Sequence, residues 1–152
     1  MFQIKDDDLQ GKTTRALLAL HLMGIQEDSP LGHATALDVS GLRDPNITVW
    51  SAWDGGELVG IGALRECADG TGEVKSMRTD PRHLRRGVGQ ALLEHIVAAA
   101  RERGLHKLSL QTVSGAAFEP ALALYRGRGF TDGEPFGEYA HSELNRFLHL
   151  AL

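Results

Sequence analysis

The stretch Thr79-Asp-Pro-Arg-His-Leu-Arg-Arg-Gly-Val-Gly-Gln-Ala-Leu-Leu93 runs a basic, glycine-punctuated turn straight into an apolar helical pattern. Val88, Leu92, Ile96 and Ala99 recur at helical spacing until Gly104, so the turn stands at a helix N-terminus. Several backbone N–H groups there have no intrahelical partner, and the helix dipole is positive, which suits a phosphate or pyrophosphate. Gly87 and Gly89 keep side chains away from the backbone, and consecutive amides in such a turn form an anion nest. Arg82, Arg85 and Arg86 add positive charge at the same place. The strand-like run 72–79 comes just before, which puts the cradle at a strand end, where open α/β sheets place ligands.

Two other phosphate motifs fail on spacing. Gly11-Lys-Thr-Thr14 resembles the end of a P-loop, but the glycine required five positions earlier is Asp6 and no apolar strand leads in. Gly87-Val-Gly89 could open a dinucleotide fingerprint, but its third glycine falls on Leu92, and no strand, helix and strand begin the chain.

Outward from the cradle, a short strand at 2–4 precedes a helical stretch at about 8–24 and a second helix near 34–42. Asn46 to Trp53 reads as a strand, Asp54-Gly-Gly-Glu57 as its turn and 58–65 as its hairpin partner, with 69–72 the next turn and 73–79 a third antiparallel strand. After the helix, 106–113 alternates as a strand, a helix carries Tyr125, and 145–152 closes the sheet. Trp50 and Trp53 read as packing residues of the hairpin.

With 152 residues the chain can bury a proper core without disulfides and has room for one domain, spanning 1–152. A formal net charge of -4 with 42% hydrophobic residues argues against disorder and against a nucleic-acid surface. Basic residues are local instead. Lys75, Arg78, Arg82, Arg85 and Arg86 stand against Asp80 alone, which points to a small anionic ligand. No apolar segment approaches the ~20 residues of a membrane span, and no secretory signal pattern begins the chain. Cys67 is the single cysteine, which fits a reducing cytoplasm. The seven histidines have no metal-ligand spacing, so no metal site is expected.

These residues resemble the GCN5-related N-acetyltransferases (GNAT), whose signature is Gln/Arg-x-x-Gly-x-Gly/Ala between the fourth strand and the third helix. Gly87 and Gly89 match its small positions, and Leu84 occupies the leading one. Ala121-Leu-Ala-Leu-Tyr-Arg-Gly-Arg-Gly-Phe130 is similar to the family's helix ending in Leu-Tyr-x-x-x-Gly-Phe, with Pro120 suited to the first turn and Gly127 or Gly129 to the end. Where the family often has an asparagine seven residues before that tyrosine, the chain has Phe118, so no cofactor contact is expected from that side chain. Trp50 to Trp53, Lys75 to Thr79 and Phe118 to Ala121 also resemble segments of a bacterial subgroup.

The resemblance implies a mixed α/β GNAT fold, with a mostly antiparallel sheet of about seven strands flanked by about four helices. It implies acetyl-CoA as co-substrate. By similarity, the turn and helix start at Arg85, Arg86, Gly87, Val88, Gly89 and Gln90 would hold the pyrophosphate, and the backbone of Met77 and Thr79 the pantetheine arm. Tyr125 would protonate the departing thiolate, and Glu73, fourteen residues before Gly87, would serve as base. The reaction expected is transfer of acetyl to a primary amine of a small molecule by direct attack in a ternary complex. Cys67 lies outside both motifs and no Gly-x-Ser-x-Gly elbow offers a serine nucleophile. Two other readings stay open: acetylation of a protein lysine or N-terminus, and a non-catalytic acyl-CoA sensor. A homodimer also stays open.

Overall fold

The structure is a computed structural model, and it describes residues 2–28, 42, 44–113, 119–136 and 145–152, with backbone alone at 21–28, 113 and 145. Seven strands form one sheet in the order β1-β2-β3-β4-β5-β7-β6. They are β1 (Gln3–Asp6), β2 (Ile47–Asp54), β3 (Glu57–Glu66), β4 (Thr71–Thr79), β5 (Lys107–Val113), β6 (Thr131–Asp132) and β7 (Asn145–Ala151). Every neighbouring pair is antiparallel except β4 with β5. The described helices are α1 (Lys12–Asp28), α2 (Val88–Glu102) and α3 (Glu119–Arg128), with a 3-10 turn at Pro81–His83. The helix expected near 34–42 lies outside the described residues except for Leu42, which is buried.

Local chemistry sets the boundaries. The expected start of α1 at Asp8 gives way to a turn, in which Asp7 and Asp8 carboxylates accept from the Leu9 and Gln10 amides at 2.8 and 3.0 Å. Leu9 takes φ 63 there, so helical dihedrals begin only after Gly11. Gly104 and Gly129, both at positive φ, follow the ends of α2 and α3. The two-residue strand β6 has too short a pattern to be read from the sequence.

Strand alternation divides the core between two faces. One face carries Trp50, Ala52, Leu64, Val74, Leu108, Leu110 and Leu148, packed with Leu92, Leu93 and Ile96 of α2 and Leu122 and Tyr125 of α3. The other gathers Val49, Ile61 and Ala63 with Leu17 and Leu18 of α1 and Leu42. At Gly60 and Gly62 a Cβ would lie 2.6 Å from Val88 Cγ1 and 2.7 Å from Met77 Sδ, so the missing side chains let α2 and Met77 close on β3.

Candidate active site

The parallel pairing of β4 with β5 covers only Thr71, Glu73 and the residue between them against Lys107 to Ser109. Farther on, the two strands separate. Lys75, Arg78 and Thr79 pair with β3 alone, and Leu110 to Val113 with β7 alone, which leaves a gap in the middle of the sheet. A bulge re-aims β4 at this point, because Ile61 pairs with Arg78 and Ala63 with Lys75, so two residues oppose Gly62. Ser76 absorbs the extra residue with φ 54, and its hydroxyl is enclosed with no hydrogen-bond partner among the described residues. The Asp80 amide donates to the Val59 carbonyl at 2.8 Å, on the β3 side. Successive N–H groups of a strand alternate sides, so the Thr79 and Met77 amides face the gap.

At the top of the gap the chain turns into α2. Arg85 and Gly87 both take left-handed conformations, φ 62 and 84, and no side chain caps the helix at Gly87. The first helical bond runs from Ala91 N–H to the Gly87 carbonyl at 3.0 Å, so the Val88, Gly89 and Gln90 amides have no intrahelical acceptor. A Cβ on Gly87 would meet nothing within 4 Å, so that glycine is there for its backbone. At Gly89 a Cβ would touch Leu124 Cδ2 at 3.1 Å and Thr79 Oγ1 at 3.7 Å, so its open side faces α3 and the end of β4. A groove of about 270 Å³ continues from Gln90 between α2 and α3, past Leu124 and Gly127.

The arginines of the turn divide into two kinds. Arg82 chelates Asp80 through Nε and Nη2 at 3.2 and 3.1 Å, and these bonds hold the Asp80 carboxyl below its ordinary 3.8. Arg86 bridges Asp54 at 2.6 Å and the buried His83 Nδ1 at 2.5 Å, while His83 Nε2 lies 3.6 Å from Glu57. These contacts fasten the turn to the β2–β3 hairpin. Arg85 is exposed and has no ion pair among the described residues. Asp54 and Glu57 therefore have a supporting part that their place in a surface turn did not reveal.

Tyr125 and Glu73 lie on opposite faces of the sheet. Tyr125 projects from α3 into the apolar core, edge-on to Phe130 at 5.8 Å, and no described residue hydrogen-bonds its hydroxyl. Burial raises its phenol pKa well above the ordinary 10.0, so it stays a proton donor. Glu73 is buried on β4 at the last parallel pairing, opposite Ser109, with Lys75 Nζ 3.1 Å from Oε2 and Arg65 Nη1 3.7 Å from Oε1. Phe118 lies outside the described residues.

The acetyltransferase (GNAT) family profile matches residues 15–130 of the chain. The chain belongs to the GNAT acetyltransferase family. Among its relatives is the uncharacterized N-acetyltransferase YedL of Escherichia coli K12, 48% identical over 152 residues, which are 100% of this chain and 96% of that one. A solved structure of a candidate acyl-CoA N-acyltransferase from Klebsiella pneumoniae matches with a TM-score of 0.84 at 31% identity, over 100% of this chain and 98% of that one. A Bacillus subtilis acetyltransferase solved in complex with CoA shares the fold, with a TM-score of 0.75 at 18% identity over 100% and 99% of the two chains. As a GNAT member the chain is an acyl-CoA-dependent N-acetyltransferase. No described helix is long and apolar enough to cross a membrane.

Proposed function

We propose that residues 1–152 form one GNAT domain that moves the acetyl group of acetyl-CoA to a primary amine of a small molecule, by direct attack with both substrates bound. The observation that carries this reading is the β4–β5 gap, with the Met77 and Thr79 amides turned into it and a glycine-opened helix start at its end. The spare amides of Val88, Gly89 and Gln90 suit a pyrophosphate, and Arg85, whose guanidinium has no ion pair among the described residues, suits the nucleotide's further phosphate. Arg86 contributes mainly by fixing the turn, since its guanidinium is held by Asp54 and His83.

Acetyl-CoA supplies an activated acyl group, and the chain's residues handle charge and protons. The Met77 amide is aimed to stabilise negative charge developing on a carbonyl oxygen in the gap. Tyr125, kept neutral by burial, donates its phenolic proton to a departing thiolate. A lysine-like amine, with a pKa of about 10.4, arrives protonated at neutral pH and must lose that proton. Glu73 takes it. A rise of ~3.3 Å per residue puts Met77, four residues on, roughly 13 Å along β4 from Glu73, which is beyond a glutamate's reach, so the proton travels through water.

Thermal unfolding with and without acetyl-CoA, together with thiol release across a panel of amines, tests the reading. At a hundredfold excess over Kd, stabilisation of about 2.7 kcal/mol is expected. A melt unmoved by millimolar acetyl-CoA would refute it, and turnover on peptide lysines but no small amine would replace the acceptor class.

A further inference from the structure

The sheet face opposite α2 and α3 changes character at β4. Where α1 covers it the face is apolar, through Val49 of β2 and Ile61 and Ala63 of β3. Beyond them the strand register sets Arg65, Glu73, Ser109 and His149 in one row, from Arg65 with Glu73 and Glu73 with Ser109 to Ser109 with His149. Directly opposed residues of paired strands share a face, so Lys75, opposite Ala63, and Arg78, opposite Ile61, join the same face higher on β4. Its side-chain charges on β3 and β4 are three cations against one carboxylate.

Glu73 already serves two of those cations, at 3.7 Å from Arg65 and 3.1 Å from Lys75, whose side chain is only 8% exposed. His149 brings no negative charge. Its Nε2 donates to the Glu134 carbonyl, which can only accept, at 2.8 Å, and its Nδ1 lies 2.7 Å from the Ser109 hydroxyl. Arg78 has no ion pair and no side-chain hydrogen bond among the described residues, and its Nε is enclosed without a partner. Enclosed guanidinium N–H groups are ordinarily satisfied, and a planar donor fork matches a carboxylate in two-point geometry. Arg78 also stands between Met77 and Thr79, whose amides face the gap, and on the same sheet face as Glu73.

We propose that Arg78 binds a carboxylate of the acceptor, so that the favoured substrates are amino carboxylates, with amine and carboxylate a few bonds apart, and not bare amines. The inference rests on reading the β4–β5 gap as the acyl-transfer site. The acceptor's carboxylate takes the unfilled Arg78 donors, and its amine is left over the gap on the side where Glu73 takes protons.

Matched acceptors that differ only at the carboxylate test it: L-amino acids, β-alanine and 4-aminobutyrate against their carboxamides. Thiol release from acetyl-CoA is followed with wild type, Arg78→Gln and Arg78→Lys, and each protein is first checked for its melt shift with acetyl-CoA. Wild type is expected to favour at least one acid over its amide by 10-fold or more in kcat/KM. In Arg78→Gln that preference should fall below 3-fold through a raised acceptor KM, with the acetyl-CoA KM unchanged, and Arg78→Lys should retain part of it. If amides or bare amines are preferred, if the preference survives in Arg78→Gln, or if no carboxylated acceptor is turned over by a protein that acetyl-CoA stabilises, the proposal is wrong while the transferase reading stands. If acetyl-CoA does not stabilise the wild type, both fall.

Discussion

Tyr125 is a polar side chain kept in an apolar core, and a neutral phenol is the form that such a site tolerates. Replacing it with Phe removes one hydroxyl and leaves the packing against Phe130 largely intact. Turnover should drop by roughly 10² to 10⁴ with acetyl-CoA affinity little changed if its proton is needed in the transition state. The same variant reports on burial through pH. Because the folded-state pKa lies above the ordinary 10.0, the stability linked to the protonated phenol is complete below pH 10 and is lost as pH rises from there toward the folded value. Wild type should therefore weaken relative to Tyr125→Phe above pH 10, by up to about 1.4 kcal/mol per pH unit. Denaturant titrations of both proteins between pH 9 and 11 measure this, and a constant difference between them would mean that water reaches the hydroxyl. Glu73 reads differently at this scale. Its spacing to Gly87 nominated it from the sequence, while its two cationic neighbours come from strand pairing, which spacing alone does not give.

At the scale of elements, β3 and the start of α2 depend on glycines in two separate ways. Gly60→Ala places a Cβ 2.6 Å from Val88 Cγ1 and 3.1 Å from the Arg78 carbonyl oxygen, neither of which yields easily, so a loss of about 1 to 3 kcal/mol is expected. Gly87→Ala meets open space but must hold φ 84, which costs ~1 to 2 kcal/mol through the backbone. Gly56→Ala, with nothing within 4 Å and no positive φ, serves as the near-neutral control, and chemical denaturation of the three ranks them. Only the second role was legible in the sequence, because a basic Gly-x-Gly turn before a helical pattern announces a special backbone. Gly60 and Gly62 sit in an ordinary apolar strand, where nothing local signals the helix that will lie across them. The hairpin around Gly55 and Gly56, the strands after it and both ends of α2 were legible too, since alternation and turn residues are local signals. The bulge at Ser76 was not. Lys75-Ser-Met-Arg78 has no apolar alternation to break, so an extra residue leaves no mark on the pattern. The commitments of Arg86 and Arg82 were equally hidden, because a run of arginines specifies charge but not partners.

Across the whole molecule, the sheet is two ladders, β1 to β4 and β5 to β7, joined through a short parallel seam and through helices that pack on one face. A ligand in the gap between them would complete hydrogen bonding that the protein leaves open, and the amide pattern makes that testable residue by residue. Asp80 N–H is bonded to Val59, and Arg78 N–H points the same way by alternation, so both should be protected from exchange whether or not ligand is present. Met77 and Thr79 N–H point into the gap, and Val88, Gly89 and Gln90 N–H begin a helix without acceptors, so these five should exchange readily in the free protein. Saturating acetyl-CoA should slow those five by at least about 10-fold while Arg78 and Asp80 change little, since an amide that gains an acceptor exchanges only when the complex opens. Residue-resolved hydrogen exchange measures all seven amides in one experiment. Uniform slowing along β4 would indicate general stabilisation of the fold, and slowing confined to Val88, Gly89 and Gln90 would place an anion at the cradle with no arm in the gap.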